Sequence, residues 1–300
     1  MSDTFSRYHP AVNFLFFALV LVFSMVLMHP VCLLISLLGA VLYVIQLNGR
    51  KGLRFSLKVA LPVMLLAALV NPAFNHAGVT ILTYLPTGNP LTLESILYGL
   101  AAGCMLCAVL LWFVCYNRVL TSDKFVYLFG RVIPALSLVL SMTLRFVPRF
   151  RRQFRTVAQA QRFMGRDTEN GSLLRRGRNA MKVFSIMVTW SLESAIDTAD
   201  SMRSRGYGQP GRTAFALYRL DDRDRSLLLW LGFCGLYLLS GVLSGGLYFQ
   251  YYPLLLGAPA QPLTVSFFAV YLLLCLTPAG LSLAQRRRLR RLMKGGTPNE

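Results

Sequence analysis

The chain has 300 residues, of which 55% are hydrophobic and only 14% are charged, and its mean hydropathy is +0.53. Soluble domains carry about a quarter charged residues, so this composition excludes an ordinary soluble protein and predicts a polytopic membrane protein. A net charge of +19 in a soluble protein would suggest nucleic acid, but here the charge adjoins apolar segments. Anionic lipids and acidic protein surfaces are therefore the expected counterparts, and nucleic acid is not.

Six apolar segments of roughly membrane-spanning length follow one another along the chain. A bilayer core of about 30 Å needs about 20 helical residues, so each segment is expected to cross once. A stretch at 132–147 is a seventh candidate, but Arg131 and Arg145 leave too few uncharged residues between them. That stretch is expected to be a buried or interfacial helix. The six predicted spans are residues 11–28, 30–47, 55–70, 95–116, 226–244 and 263–284.

Positive charge alternates from one connection to the next. All 31 Lys and Arg residues fall on one side of the six-span topology, and 20 of them lie in 117–225. The positive-inside rule therefore places both termini and this segment in the cytoplasm. The first span follows Arg7 and His9 without a small-residue cleavage site, so it is expected to be retained. The expected parts are an N-terminal membrane part (1–116), a cytoplasmic block (117–225), a C-terminal membrane hairpin (226–284) and a basic cytoplasmic tail (285–300).

The connection 71–94 carries no Lys or Arg and is expected to be extracytoplasmic. Its Pro and Gly residues predict turns and irregular structure. Thr92 precedes Leu93 and Glu94, a pattern that predicts the first turn of the fourth span.

The cytoplasmic block resolves into three predicted helices, at about 123–133, 134–163 and 179–205. In the second helix, Phe150, Phe154 and Val157 recur at helical spacing while arginines occupy the other face. Pro148 is expected to kink this helix and Gly165 to end it. A polar linker at 167–178 is expected next. The third helix has a predicted packing stripe of Phe184, Met187, Val188, Ser191, Ala195, Thr198, Ala199 and Met202.

Sequence motifs for catalysis and metal binding are missing. The chain contains no G-x-x-x-x-G-K-[ST] phosphate loop, no G-x-S-x-G and no H-E-x-x-H. Cys104 and Cys107 form a C-x-x-C pair, but they lie inside a span without other ligands, so they are expected to act as small hydrophobes. The sequence therefore predicts no cofactor, no metal site and no enzymatic activity.

Several stretches resemble the T component of energy-coupling factor transporters, which are ABC-type importers of vitamins and metal ions. The likeness covers about residues 10–285. Ser204-Arg205-Gly206 is similar to the second of the two Ala-Arg-Gly-type motifs of that family, and the run ending at Met164-Gly165 is similar to the first. The other similar stretches are Leu144-Arg-Phe-Val-Pro148, Ala160-Gln-Arg-Phe-Met-Gly165, Asn71-Pro-Ala-Phe-Asn-His-Ala-Gly78 and Thr121-Ser-Asp-Lys124.

The resemblance implies an all-α membrane protein in the bacterial or archaeal cell membrane, with cytoplasmic coupling helices between spans four and five. It implies that each motif ends a coupling helix and seats on an ABC ATPase subunit. A small membrane substrate-binding subunit is then the other partner. The first motif departs from the family, because Met164 stands where Arg usually precedes Gly. The implied ATPase-coupling residues are Arg162, Met164, Gly165, Ser204, Arg205 and Gly206.

Two other classes of function stay open at this point. A stand-alone permease or channel would need polar or broken spans, and no span has an acidic or basic residue in its interior. A membrane enzyme acting on lipid phosphates would need a base or nucleophile near the arginines. Its candidates are Asp197 and Asp200, which more simply pair with neighbouring cations, as does Glu193.

Overall fold

The computed structural model describes residues 4–76, 78–84, 90–130, 133–166, 172–210, 218–257, 259 and 261–294. Helices dominate these residues, and two short antiparallel hairpins interrupt them. The helices are α1 (Pro10–Val26), α2 (Pro30–Asn48), α3 (Arg50–Phe74), α4 (Leu93–Val119), α5 (Ser122–Gly130), α6 (Pro134–Phe163), α7 (Leu173–Ser204), α8 (Asp222–Leu243) and α9 (Pro262–Lys294). The hairpins are formed by β1 (Ile81–Tyr84) with β2 (Pro90–Thr92) and by β3 (Phe249–Gln250) with β4 (Leu256–Gly257).

The predicted all-α membrane fold is confirmed. Five of the described helices are long and apolar enough to cross a membrane: α2, α3, α4, α8 and α9. The apolar helix α1 is shorter, with 17 residues, which is near the lower limit for a span. α6 is not among the five, and the interfacial placement of 132–147 stays a prediction.

Contacts divide the chain into two units, Met1–Thr121 with Tyr218–Glu300, and Ser122–Leu217. The first unit has an aromatic core. Phe16 and Phe17 of α1 meet each other at 5.2 Å between ring centroids, and Trp112 of α4 lies 5.8 Å from Phe16. Phe5, just before α1, is fully buried at 5.1 Å from Phe16. Edge-to-face pairs of this kind hold α1, α4 and the N-terminal segment together.

A chain of buried polar side chains crosses this core. Ser24 of α1 lies 2.6 Å from the hydroxyl of Ser36 in α2 and 3.0 Å from that of Tyr271 in α9. The Trp112 indole N–H donates to the Ser36 hydroxyl at 3.1 Å. Four helices are thus linked by hydrogen bonds that no water can replace, each contributing on the order of 0.6–1.7 kcal/mol in a membrane.

Glycines allow α3 and α4 to approach closely. A Cβ added at Gly99 would lie 2.7 Å from the backbone oxygen of Ala67, and one at Gly103 would lie 3.0 Å from the Cα of Met64. Without a hydrophobic force between helices in lipid, such close backbone packing is a main source of association.

Side chains cap the starts of α1, α2, α4 and α8 in this unit, and at α8 the cap is a capping box between Asp221 and Asp224. His9 and His29 each precede a proline at the first helical position, and the Nδ1 atom of each accepts a hydrogen bond from the backbone N–H two residues on, at 3.2 and 3.3 Å. Thr92 caps α4, as predicted, by accepting from the N–H of Ser95.

The prediction of turns and irregular structure at 71–94 was wrong in part. α3 continues to Phe74, and β1 pairs with β2. Glu94, which is 2% exposed, stabilises the hairpin by accepting from the backbone N–H of Thr80 at 3.2 Å and from its hydroxyl. The amide of Asn71 donates to the backbone oxygen of Ser95 at 2.6 Å and to the Tyr252 hydroxyl at 3.2 Å. These tertiary partners supply order that local sequence does not indicate.

The second unit contains α5, α6 and α7. α6 packs against both of the others. The bounds predicted for α6 are confirmed, and it continues through Pro148. α7 starts earlier than predicted, at Leu173. Residues 173–178 therefore belong to a helix and not to a polar linker, while 167–171 lie outside the described residues.

Candidate functional site

The end of α6 is closed by a glycine in a left-handed conformation. Gly165 has φ 72°, which L-residues rarely adopt. Its N–H donates to the backbone oxygen of Arg162 at 3.0 Å, and the N–H of Arg166 donates to that of Gln161 at 2.9 Å. This pair of bonds defines a Schellman motif, which satisfies the last carbonyls of the helix.

The end of α7 has the same geometry. Gly206 has φ 73°. Its N–H donates to the backbone oxygen of Arg203 at 3.0 Å, and the N–H of Tyr207 donates to that of Met202 at 3.0 Å. The two sequence motifs are therefore the same local structure, built twice at the ends of neighbouring helices in one unit.

This equivalence pairs the residues of the two ends. Met164 and Arg205 both occupy the last position before the glycine. Arg162 corresponds to Arg203, and Arg166 to Tyr207. The α6 end therefore carries the thioether of Met164 at the position where the α7 end carries the guanidinium of Arg205.

Side chains at both ends face solvent. Met164 is 58% exposed, and Arg162, Ser204 and Arg205 are also exposed. Phe163 is 91% exposed at the tip of α6, and sequence reasoning missed it. The sequence did indicate that Phe163 would be exposed, because this residue lies outside the apolar stripe formed by Phe150, Phe154 and Val157. The tip of α6 therefore exposes two apolar side chains in succession, Phe163 and Met164.

α6 and α7 are joined by an aromatic contact well away from these ends. The Trp190 ring stacks on Phe146 at 5.7 Å and lies 6.4 Å from Phe150. The guanidinium of Arg149 lies 5.5 Å from the centroid of the same indole, a cation–π contact. At 1.5 Å per residue, Met164 lies about 21 Å along α6 from Phe150, and Arg205 about 22 Å along α7 from Trp190. Each tip thus ends an arm more than about 20 Å long, measured along its helix from the aromatic contact.

The predicted packing stripe of α7 was wrong in part: Met187 is buried as predicted, but the other buried side chains lie one residue before a predicted position or outside the stripe. The buried side chains are Asn179, Val183, Met187 and Ser194, whereas Phe184 is 62% exposed. Stacking of Trp190 on α6 sets the rotation of α7, because an indole buries more area than the alternative apolar residues. Besides Phe184, the following members of the predicted stripe are exposed: Val188, Ala195, Thr198 and Ala199.

The acidic residues of α7 and the two cysteines of α4 are the groups that an enzyme or a metal site could use. Glu193, Asp197 and Asp200 are exposed on α7. No group of three or more His, Cys, Asp or Glu side chains able to hold a metal ion occurs in the part of the chain that the structure describes. Cys104 and Cys107 are buried, and their thiols face the backbone oxygens of Leu33 and Ala60 at 3.8 and 3.5 Å. Both cysteines therefore pack as small apolar groups.

The family model described as "CbiQ: Cobalt transport protein" matches residues 2–215. The chain belongs to the CbiQ family. The match covers most of the chain and includes both glycine-capped helix ends of α6 and α7. It confirms the resemblance to T components of energy-coupling factor transporters.

Curated relatives give the same result over shorter stretches. The energy-coupling factor transporter transmembrane protein EcfT of Lactobacillus helveticus is 34% identical over 93 residues, which are 31% of this chain and 34% of that protein. EcfT of Lactococcus lactis is 33% identical over 95 residues, covering 31% and 36%. EcfT of Lacticaseibacillus paracasei is 30% identical over 112 residues, covering 37% and 40%. The matched stretches span about a third of the length of these relatives. This CbiQ-family chain is thus a multi-pass membrane protein.

Proposed function

We propose that this protein is the transmembrane coupling subunit of an energy-coupling factor importer of vitamins or metal ions. The observation that carries the proposal is the pair of matching helix ends at Gly165 and Gly206, each exposed at the tip of an arm about 21–22 Å long. A non-catalytic linkage needs two such contact points, one for each subunit of an ATPase pair. Both termini and 117–225 are then cytoplasmic, as the positive-inside rule predicts.

The aromatic contact gives the two arms a common pivot. Phe146, Phe150 and Trp190 bury apolar area on both helices, so a displacement of one tip is transmitted to the other helix through packed rings. ATP-driven closure of the ATPase pair would move the tips together. The exposed apolar residues of α7, among them Phe184 and Val188, would contact the small substrate-binding membrane subunit.

The two ends offer different chemistry to their ATPase sites. Arg205 presents a guanidinium that matches a carboxylate in a bidentate pair. Met164, together with Phe163, presents an apolar plug at the other end. This asymmetry fits a pair of unlike ATPase subunits, one with an acidic groove and the other with an apolar one.

Charge reversal at the α7 tip tests this function. Arg205→Glu should abolish co-purification of the proposed ATPase subunits, because losing one partner of a desolvated pair costs about 2–5 kcal/mol. The matched control is Arg178→Glu, since Arg178 is also an exposed arginine of α7 but lies near its other end. Retention of the ATPases and of solute uptake by the Arg205 variant would refute the assignment.

The α6 tip has its own test. Met164→Asp should weaken the assembly more than Arg166→Ala, because the first change puts a charge into an apolar contact. A pull-down with quantified ATPase recovery would rank the two variants. The reverse ranking would contradict the apolar plug.

A further inference from the structure

α6 turns a mixed basic and apolar surface away from α7. At 100° per residue, Leu144, Val147, Arg151, Phe154 and Arg155 fall within a sector of about 100°. All five side chains are exposed, with Val147 at 54% and Phe154 at 47%. These five residues are called here the outer face of α6.

Of the other faces of α6, one packs inside the unit and one carries a row of exposed arginines. Phe146, Gln153 and Val157 are half-buried and Gln161 is buried on the side that packs inside the unit. A second row of exposed arginines borders the contact with α7, where Arg149 lies over the Trp190 ring. The other members of this second row are Arg145 and Arg152.

The outer face has the composition of a helix that lies on a membrane surface. Basic residues alternate there with large apolar ones, and α6 contains no acidic residue at all. An acidic protein surface would complement Arg151 and Arg155 but would leave Val147 and Phe154 without apolar partners. A phospholipid surface supplies both, since phosphates and acyl carbons lie within a few ångströms of each other.

The position of α6 in the chain supports the same occupant. It begins 15 residues after the end of α4, an apolar helix of spanning length. Its first 11 residues, from Pro134 to Leu144, carry no charge. The outer face is therefore tethered within reach of the bilayer that α4 crosses.

We propose that the outer face of α6 binds the headgroups of anionic phospholipids. Arg151 and Arg155 contact the phosphates, while Val147 and Phe154 lie at the boundary with the acyl chains. The inference rests on the proposed cytoplasmic placement of 117–225. It does not require the ATPase contacts at Arg205 or Met164.

The test places a nitroxide label at Phe154→Cys in the full chain, reconstituted without ATPases in nanodiscs. The six native cysteines are buried, so labelling is selective. Discs of phosphatidylcholine alone are compared with discs that also contain phosphatidylglycerol. Collisions of the label with dioxygen and with a water-soluble nickel chelate then report whether the site lies in lipid or in water.

We expect the label to lie in lipid only in the anionic discs. Each cation near an anionic surface strengthens binding about fivefold, so Arg151→Gln with Arg155→Gln should lower the ratio of lipid-inserted to water-exposed label about thirtyfold. The control pair, Arg145→Gln with Arg152→Gln, removes the same charge from the same helix and should change the ratio far less.

Three outcomes would overturn the proposal. The label could stay water-exposed in both kinds of disc, or the two pairs of substitutions could have equal effects. Protection of the label only after ATPase subunits are added would assign the outer face to an acidic protein surface. Because the first two results are obtained without ATPase, failure of the proposed coupling function cannot produce them.

Discussion

The left-handed glycine at the end of α7 leads to a quantitative prediction for Gly206→Ala. An alanine at φ 73° places its Cβ against its own backbone, at a cost of about 1–2 kcal/mol. The cost is backbone strain rather than crowding, because the nearest atom to an added Cβ is the mobile side-chain oxygen of Gln209 at 3.1 Å. The helix end relieves this strain by leaving the Schellman geometry that presents Arg205.

The expected effect is a loss of binding, with little loss of fold. If the partner binds only the capped conformation, a penalty of about 1–2 kcal/mol lowers affinity about 5- to 30-fold. The assay is titration of the detergent-solubilised variant with its ATPase subunits, with circular dichroism to verify helix content. Gly165→Ala should behave in the same way at the α6 end, since Gly165 has φ 72°.

A glycine elsewhere in α7 provides the matched control. Gly177 lies inside the helix, has ordinary helical backbone, and would have no atom within 4 Å of an added Cβ. Gly177→Ala should stabilise the helix by about 0.5–1 kcal/mol and leave ATPase binding unchanged. Equal affinities for the Gly206 variant and the wild type would refute the reasoning, as would equal losses for the Gly206 and Gly177 variants.

Three further predictions concern the membrane unit. Ser36→Ala removes the acceptor of the Trp112 indole N–H and should destabilise the fold by about 1–3 kcal/mol, measured by unfolding in mixed micelles; an unchanged midpoint would argue against the polar chain. Gly99→Ala should cost about 1–3 kcal/mol in the same assay, because its Cβ would meet a backbone oxygen, whereas Gly232→Ala has open space and should not destabilise the fold. Burial lowers the pKa of His29 below the ordinary value of 6.5. The stabilisation of the folded state by the neutral ring is therefore complete above pH 6.5 and declines as the pH falls below that value. The protonated ring can no longer accept the capping hydrogen bond, so His29→Asn should flatten the pH dependence of the thermal midpoint between about pH 7 and 5.

Helix ends and caps could be read from the sequence because they depend on local chemistry. Gly165 and Gly206 end helices through their own backbone freedom, and Thr92 caps α4 with its own hydroxyl. The apolar segments could also be predicted, because a helix that crosses a bilayer must have about 20 mostly apolar residues.

The rotation of α7 could not be read in this way. Apolar and small residues occupy two overlapping faces of this helix, and the choice between them depends on Trp190 meeting Phe146 and Phe150 of another helix. The stripe predicted from periodicity includes Phe184, which the structure leaves exposed. An apolar residue reserved for a partner has the same sequence signature as one that packs in the core.

The sequence by itself determined the class of protein, the apolar segments and the two glycine-terminated helices, because hydropathy, charge and glycine act within a few residues. Only the tertiary structure decided that Phe163 stands exposed beside Met164, and that Glu94 and Asn71 order the connection between α3 and α4. These features depend on contacts between residues distant in the chain, or on the lack of such contacts. Local sequence patterns indicate neither the presence nor the lack of such contacts.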